Sequence, residues 1–275
     1  METVKTNRQY KNSVFTLLFS EKEHLLELYN AVSGESYPES TEIEIITLSD
    51  VLFMEQLNDI AFVLENRLVV LIEHQSTVNE NMPLRMLQYM GKEYQAITNK
   101  KDLYKKQLVE IPTPEFIVLY NGKEEFPDFK ELRLSSAFKS KKEKYSLELI
   151  VQVYNINKGR NADMASRSPS LNGYSELVDE VENNCKIMSR EEAIKAAIKT
   201  CISRGNLVYF LEKYSSEVEN MLLTDWNLKD ALEVEREEAE ARCKEKTSKD
   251  IFSLWESGVS LAEAKQRFGI DSNQT

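Results

Sequence analysis

Asp59, Glu73 and Gln75 are the residues whose types and spacing could do chemistry. They lie in the stretch NDIAFVLENRLVVLIEHQS, residues 58–76, where two apolar runs, Ile60 to Leu64 and Leu68 to Ile72, flank the polar triplet Glu65-Asn66-Arg67. Runs rich in β-branched and aromatic residues around a short polar triplet predict a β-hairpin. With the turn centred on Asn66, a residue type that tolerates positive φ, Leu64 faces Leu68, Val63 faces Val69, Ala61 faces Leu71 and Asp59 faces Glu73. Gln75 shares their face because strand side chains alternate. A turn with an even number of residues places Asp59 opposite Ile72 instead, so the arrangement depends on register.

Directly opposed residues on an antiparallel pair have Cβ atoms roughly 4.5–5.5 Å apart, close enough for both carboxylates to ligate one ion. Without a cation such a pair is unfavourable, since like charges raise one pKa or repel. With Mg²⁺, a hard cation that takes carboxylates, waters and substrate phosphates, the pair becomes useful. The ion polarises a phosphodiester and lowers the pKa of an attacking water, so phosphodiester hydrolysis is the chemistry expected. The plainer alternative is a pair of solvated residues at strand ends.

Asp-(x13)-Glu-x-Gln on a hairpin resembles the core of the PD-(D/E)XK nuclease superfamily. More closely, the chain resembles the Rpn family of recombination-promoting nucleases, also described as transposases of the PD-(D/E)XK type. The likeness extends to NSVFTLLFSEKEHLLELYNAV, MPLRMLQYMGKEYQAI, IPTPEFIVLYNG, VYNINKGRN and the helical run EEAIKAAIKTCISRGNLVYFLEKYSSEVENMLLTDW. The resemblance implies Mg²⁺ or Mn²⁺ held by Asp59 and Glu73, with Gln75 where the superfamily's usual motif has lysine. It also implies DNA as partner and a link to recombination or mobile elements. Two departures stand out: Asn12 occupies the position where an acid commonly precedes Phe15, and Gln75 orients a water or phosphate but cannot neutralise developing charge.

A chain of 275 residues with 41% hydrophobic and 29% charged content is long enough for a core domain plus a smaller helical unit. No apolar leader and no run of 18 or more apolar residues is present, so neither secretion nor membrane spanning is indicated and a cytoplasmic location is expected. Cys185, Cys201 and Cys243 are odd in number and widely spaced, which argues for reduced thiols. Only His24 and His74 could join them as zinc ligands, and no cysteine pair has zinc spacing. A net charge of −11 works against general affinity for nucleic acid. Two local basic runs, Lys100, Lys101, Lys105 and Lys106, then Lys139, Lys141, Lys142 and Lys144, are either solvated faces or backbone contacts for DNA.

The elements that must position the site follow from periodicity. After a polar segment 1–12, the apolar cluster Val14 to Phe19 precedes a core helix opened by a Ser20–Glu23 capping box and stopped at Ser33-Gly34. Glu42 to Leu48 reads as a short strand leading to the hairpin. Pro83 opens a helix carrying Leu84, Leu87, Met90, Tyr94 and Ile97. That helix aims Arg85 or Gln88 toward the metal, Arg85 being either the missing positive charge or an ordinary surface ion pair. Phe116 to Tyr120 is a strand covered on both faces, ended by Asn121-Gly122. Tyr120 and Asn121 at its end either reach a substrate or satisfy the turn. Leu147 to Tyr154 is another strand, and Asn155 to Ser170 is expected as a loop.

From Ser189, capped with Glu192, the pattern is helical, with Ala193, Ile194, Ala197, Ile198, Cys201 and Ile202 on one face up to Gly205. Short helices over 207–214 and 218–226 and a charged helix over 228–256 follow. The last stretch, DIFSLWESGVSLAEAKQRFGI, has a helix-turn-helix shape better suited to packing or dimerisation than to reading DNA. The expected fold is α/β, a restriction-endonuclease-like mixed sheet flanked by helices with an all-helical C-terminal extension. Its expected divisions are a nuclease-like core over 1–160, a connecting segment over 161–188 and helices over 189–275. The expected activity is Mg²⁺-dependent cleavage of DNA. Two other readings remain open: a degenerate nuclease fold that binds or assembles, and a homodimer formed through the C-terminal helices.

Overall fold

The computed structural model describes residues 13–46, 59–74, 79–224, 238–239 and 241–244; within 59–74 it describes the backbone throughout and the side chains of 60–70. The chain divides into two compact units, Met1–Leu223 and Thr224–Thr275.

Among the described residues the first unit is built on a six-stranded mixed sheet. The strands are β1 (Ile43–Ile46), β2 (Asp59–Leu64), β3 (Arg67–His74), β4 (Thr113–Tyr120), β5 (Phe129–Arg133) and β6 (Ile150–Asn155). Their spatial order is β1-β2-β3-β4-β6-β5. β1, β2 and β3 pair antiparallel, β3, β4 and β6 run parallel, and β5 returns antiparallel on β6. The helices are α1 (Val14–Phe19), α2 (Lys22–Ser33), α3 (Met82–Ile97), α4 (Ala162–Arg167), α5 (Pro169–Asn184), α6 (Arg190–Ser203) and α7, residues 208–224.

The central strand β4 is buried from Phe116 to Tyr120, as its unbroken apolar run requires when both faces are covered. One face packs against α3, whose Met82, Met86, Tyr89 and Met90 fall at helical spacing and meet Ala61, Leu68, Val70, Phe116, Val118, Val151 and Val153. Leu84 and Ile97, expected on that stripe, are instead 43% and 52% exposed. The methionines and Tyr89 define a stripe rotated from the one traced through the leucines. On the other face, the Tyr29 ring of α2 meets Phe62 edge-on at 5.6 Å, and Phe15 and Phe19 of α1 lie against Tyr174 of α5.

Several local expectations change. The capping box belongs to Ser13 and Thr16 at the start of α1, while Ser20 ends α1 and bonds back to the Thr16 carbonyl. The tract 155–170, expected as a loop, forms a short loop and then α4 and the start of α5. Residues 161–188, expected as a connecting segment, are thus largely helical, and α5 buries Leu171, Tyr174, Leu177, Val178 and Val181. Ser168 starts α5 by accepting from Leu171 N–H, and its hydroxyl donates to Glu27 of α2 at 2.8 Å. This cap joins two helices that are distant in sequence. The Ser189–Glu192 capping box is present on α6, whose apolar face is buried. α6 packs on α5, which covers that face within the chain. The expected pair of short helices after Gly205 is one helix, α7, described without a break over 208–224. Among the described residues no helix is long and apolar enough to cross a membrane. The charged helix over 228–256 lies almost entirely outside the described residues, and the terminal segment 250–270 wholly so.

Candidate active site

The parallel strands β3, β4 and β6 end side by side, with His74 paired to Tyr120 and Tyr120 to Asn155. Because β2 runs antiparallel to β3, its first residue, Asp59, comes to this same edge. Glu73 stands there one residue before the end of β3, beside Leu119. Asn121 follows β4 directly, and α3, which leaves β3 to return toward the start of β4, opens at this edge with Arg85 in its first turns. The carboxyl ends of parallel strands are where open α/β sheets bind ligands, since the loops leaving them diverge around a crevice. Gln75 and Asn12 lie outside the described residues.

The hairpin register differs from expectation. Leu64 pairs with Arg67, so the turn is the two-residue Glu65–Asn66, with positive φ (52°) at Glu65. Two-residue loops match the right-handed twist of the strands, and here they win over a turn centred on Asn66. Phe62 therefore opposes Val69, Ala61 opposes Val70, and Asp59 opposes Ile72. This register puts Phe62 and Val69 toward α2, and Ala61, Leu68 and Val70 into the α3 core; a one-residue slip would invert both sets. The directly opposed pair Asp59–Glu73 is not formed: strand alternation sets position 59 on the face of Ala61 and Val70 and position 73 on the face of Val69, so the two reach one edge from opposite faces with a one-residue offset.

No group of three or more metal-ligating side chains occurs among the described residues. The donor types that the sequence places at this edge, two carboxylates and an amide oxygen, are the hard oxygen ligands that Mg²⁺ or Mn²⁺ takes.

Tyr120 is fully buried, its hydroxyl donates to the Glu124 carbonyl at 3.0 Å, and its ring lies 4.7 Å from Phe126. Burial raises the phenol's pKa. A Cβ at Gly122 would lie 2.6 Å from that ring, so the Asn-Gly turn folds over it and requires glycine. Tyr120 thus serves the turn. Asn121 is different: it is 6% exposed and its Nδ2 has no hydrogen-bond partner among the described residues. A buried amide donor left unpaired costs about 1–3 kcal/mol, which a ligand acceptor at this edge would offset. Arg85 is half-buried, with Nη1 3.4 Å from Met82 Sδ.

Sequence reasoning missed a set of asparagines just beyond β6. Asn155, 2% exposed, donates through Nδ2 to the Phe126 carbonyl at 2.9 Å and accepts at Oδ1 from both the backbone N–H and Nδ2 of Asn157. Asn157 also donates to the Gly122 carbonyl at 3.0 Å, and Asn161 donates to the carbonyls of Asp128 and Asn155 at 2.7 and 2.8 Å. These amides tie the turn after β4 to the loop after β6, fixing the backbone around Asn121. The available signal was three asparagines in seven residues after an apolar strand, each able to donate and accept at once. The cations of this tract are engaged inside the fold: Lys158 pairs with Asp179 at 2.8 Å and Arg160 with Asp128 at 3.2 Å.

The six-stranded mixed sheet with helices on both faces is a fold of the restriction-endonuclease-like α/β class. Residues 39–167 match the family described as "Putative transposase, YhgA-like", which is the Rpn, PD-(D/E)XK-type family that the sequence resembles. The matched stretch runs from just before β1 through α4 and so contains the whole sheet and its edge. No curated protein and no solved structure matches the chain.

Proposed function

We propose that the chain is a metal-dependent nuclease that hydrolyses DNA phosphodiesters at the carboxyl edge of β3, β4 and β6. The observation that carries this reading is the arrival of Asp59 on β2, Glu73 on β3 and Asn121 directly after β4 at that single edge. A transposase-type family match over the same stretch supports a substrate of DNA. Asp59 and Glu73 would hold Mg²⁺ or Mn²⁺ between the strand ends, and the ion when bound would polarise the scissile phosphate and acidify a water. Gln75, next but one to Glu73, orients that water through its amide oxygen. Asn121 Nδ2 donates to a phosphate oxygen. The water oxygen bonds to phosphorus and gives up a proton to solvent as the bond to the leaving sugar oxygen breaks, and that sugar oxygen takes a proton from solvent.

The test is cleavage of supercoiled DNA with Mg²⁺ or Mn²⁺ by the full chain, Asp59→Ala and Glu73→Ala, purified identically. Loss of cleavage in both variants with folding retained supports the assignment; equal activity in all three marks a contaminant and sinks it.

One observation favours a second reading. The register offset, together with glutamine in place of lysine, removes both the opposed pair and the fixed charge of the usual motif. A chain that binds DNA but cleaves neither DNA nor RNA under any divalent ion would be a degenerate nuclease fold acting in binding or assembly.

A further inference from the structure

At the opposite edge of the sheet, two lysine-rich loops enter neighbouring parallel strands. Residues 98–112 lead into β4 and residues 138–149 into β6, and the parallel register Ile117 to Gln152 places both loops at the amino edge. Residues 100–106 hold four lysines against Asp102, and residues 139–144 hold four against Glu143, in a chain of net charge −11. Lys105 is paired with Asp102 at 2.5 Å, and Lys141 donates to the carbonyls of Ser135 and Ser136. The other six, Lys100, Lys101, Lys106, Lys139, Lys142 and Lys144, are exposed and make no ion pair among the described residues. Acids at the same edge are answered separately: Arg67, at the start of β3, pairs with Glu115 at 3.3 Å and Glu35 at 3.5 Å.

Large apolar side chains stand among these lysines. Tyr104 is 91% exposed and Leu108 84%. Tyr104 ends a single 3₁₀ turn closed by Lys105 N–H donating to the Asp102 carbonyl, so its ring is presented from a hydrogen-bonded base. The second loop is also built: Phe138 meets Tyr145 edge-on at 5.1 Å, and Lys142 N–H donates to the Tyr145 hydroxyl. Lysines that follow a phosphate backbone, interleaved with an exposed aromatic on which a base stacks, are the features of a single-strand binding groove.

We propose that this amino edge binds single-stranded DNA, its phosphates on the six unpaired lysines and one base on Tyr104. The inference rests on the nuclease reading for its choice of DNA, and it deepens that reading by separating grip from cleavage. β4, eight residues long, sets the two edges about 26 Å apart at ~3.3 Å per residue. A strand held here therefore reaches the carboxylates only through a flanking segment long enough to span that distance.

The experiment is fluorescence anisotropy with a labelled oligothymidine of about 20 nucleotides, long enough to fill one such groove. It uses the full-length chain in EDTA, across a salt series. Reversal of Lys100, Lys101 and Lys106 to Glu, or of Lys139, Lys142 and Lys144 to Glu, is expected to weaken binding at least about tenfold and to flatten the log–log salt slope by about two. Tyr104→Ala is expected to weaken binding about tenfold with the slope unchanged. The control, Lys186→Glu with Lys199→Glu, in the turn after α5 and on α6, makes the chain more acidic away from both loops and should leave affinity nearly unaltered. Absent binding, equal losses in the control, or unchanged affinity in all loop variants overturns the proposal. So does lysine-dependent capture of anionic vesicles without capture of the oligonucleotide. Lysine-dependent binding by a chain that never cleaves upholds this edge and overturns the nuclease. Cleavage lost in Asp59→Ala, with binding that ignores the lysines, does the reverse.

Discussion

Asp59 and Glu73 stand one residue out of register across the β2–β3 pair, Asp59 opposite Ile72 and Glu73 beside Leu119 of the parallel neighbour β4. On the proposed reading, two carboxylates that reach one edge without being directly opposed would need a further donor, for which Gln75, two residues after Glu73 in the sequence, is the candidate. Asp59→Ala and Glu73→Ala should each lower cleavage beyond the ~10–100-fold that loss of a ligand's outer partner typically costs. EDTA should abolish cleavage and Mn²⁺ restore it. Gel quantification of nicked and linear DNA reads all three.

Asn155 is the hub of the amide network and should be the most sensitive position near the site that bears no charge. Asn155→Ala removes the donor to Phe126 and leaves the Asn157 backbone N–H without its acceptor, an expected cost of about 1–3 kcal/mol. Urea unfolding should show a lower midpoint at unchanged slope. Asn121→Ala, whose donor has no protein partner among the described residues, should cost less stability and more activity.

Tyr29, Arg67 and Glu115 form the opposite end's anchor. The Tyr29 hydroxyl donates to Glu115 Oε2 at 2.6 Å and accepts from Arg67 Nη1 at 3.1 Å. Burial first, then the Glu115 carboxylate, push the phenol's pKa above its ordinary value. The folded state therefore favours the protonated phenol: that contribution is fully present below pH ~10 and falls as pH rises past the unfolded value. Tyr29→Phe should remove this alkaline loss while lowering stability at neutral pH. Arg67→Ala, with both partners about one-third exposed, should cost about 1–2 kcal/mol. Unfolding curves taken between pH 7 and 11 test both.

The three thiols should separate by reactivity. Cys243 is exposed, Cys185 half-buried and Cys201 buried on the inner face of α6, where burial pushes its pKa up to about 11. Thiolate is the nucleophile, so at pH 8 iodoacetamide should label Cys243 first and Cys201 only when the chain unfolds. Peptide mass mapping over time gives the order. Rapid labelling of Cys201 would mean that α6 does not stay packed on α5.

Ser189 accepts from Glu192 N–H while Glu192 accepts from the Ser189 backbone, satisfying two free N–H groups of α6. Ser189→Ala should lower stability by about 1 kcal/mol, read from the thermal midpoint.

By itself the sequence determined what depends on short-range pattern. The hairpin, α3 with Pro83 in its first turn, the buried strand β4 and the capped helix α6 were all legible, because apolar period, capping residues and glycine act within a few positions. So were the candidate carboxylates and the family resemblance, which rest on residue type and spacing. Only the tertiary structure decided the register of Asp59 against Glu73. A two-residue and a three-residue turn suit ENR comparably, and the choice falls to which faces Phe62, Val69, Leu68 and Val70 must bury against α2 and α3. It also decided that Tyr120 serves a turn and that the Asn155 tract is a network, since each depends on a partner at long sequence distance. The two lysine runs looked like separate solvated patches; their shared edge follows from β4 and β6 lying parallel and adjacent, a pairing that local pattern does not encode.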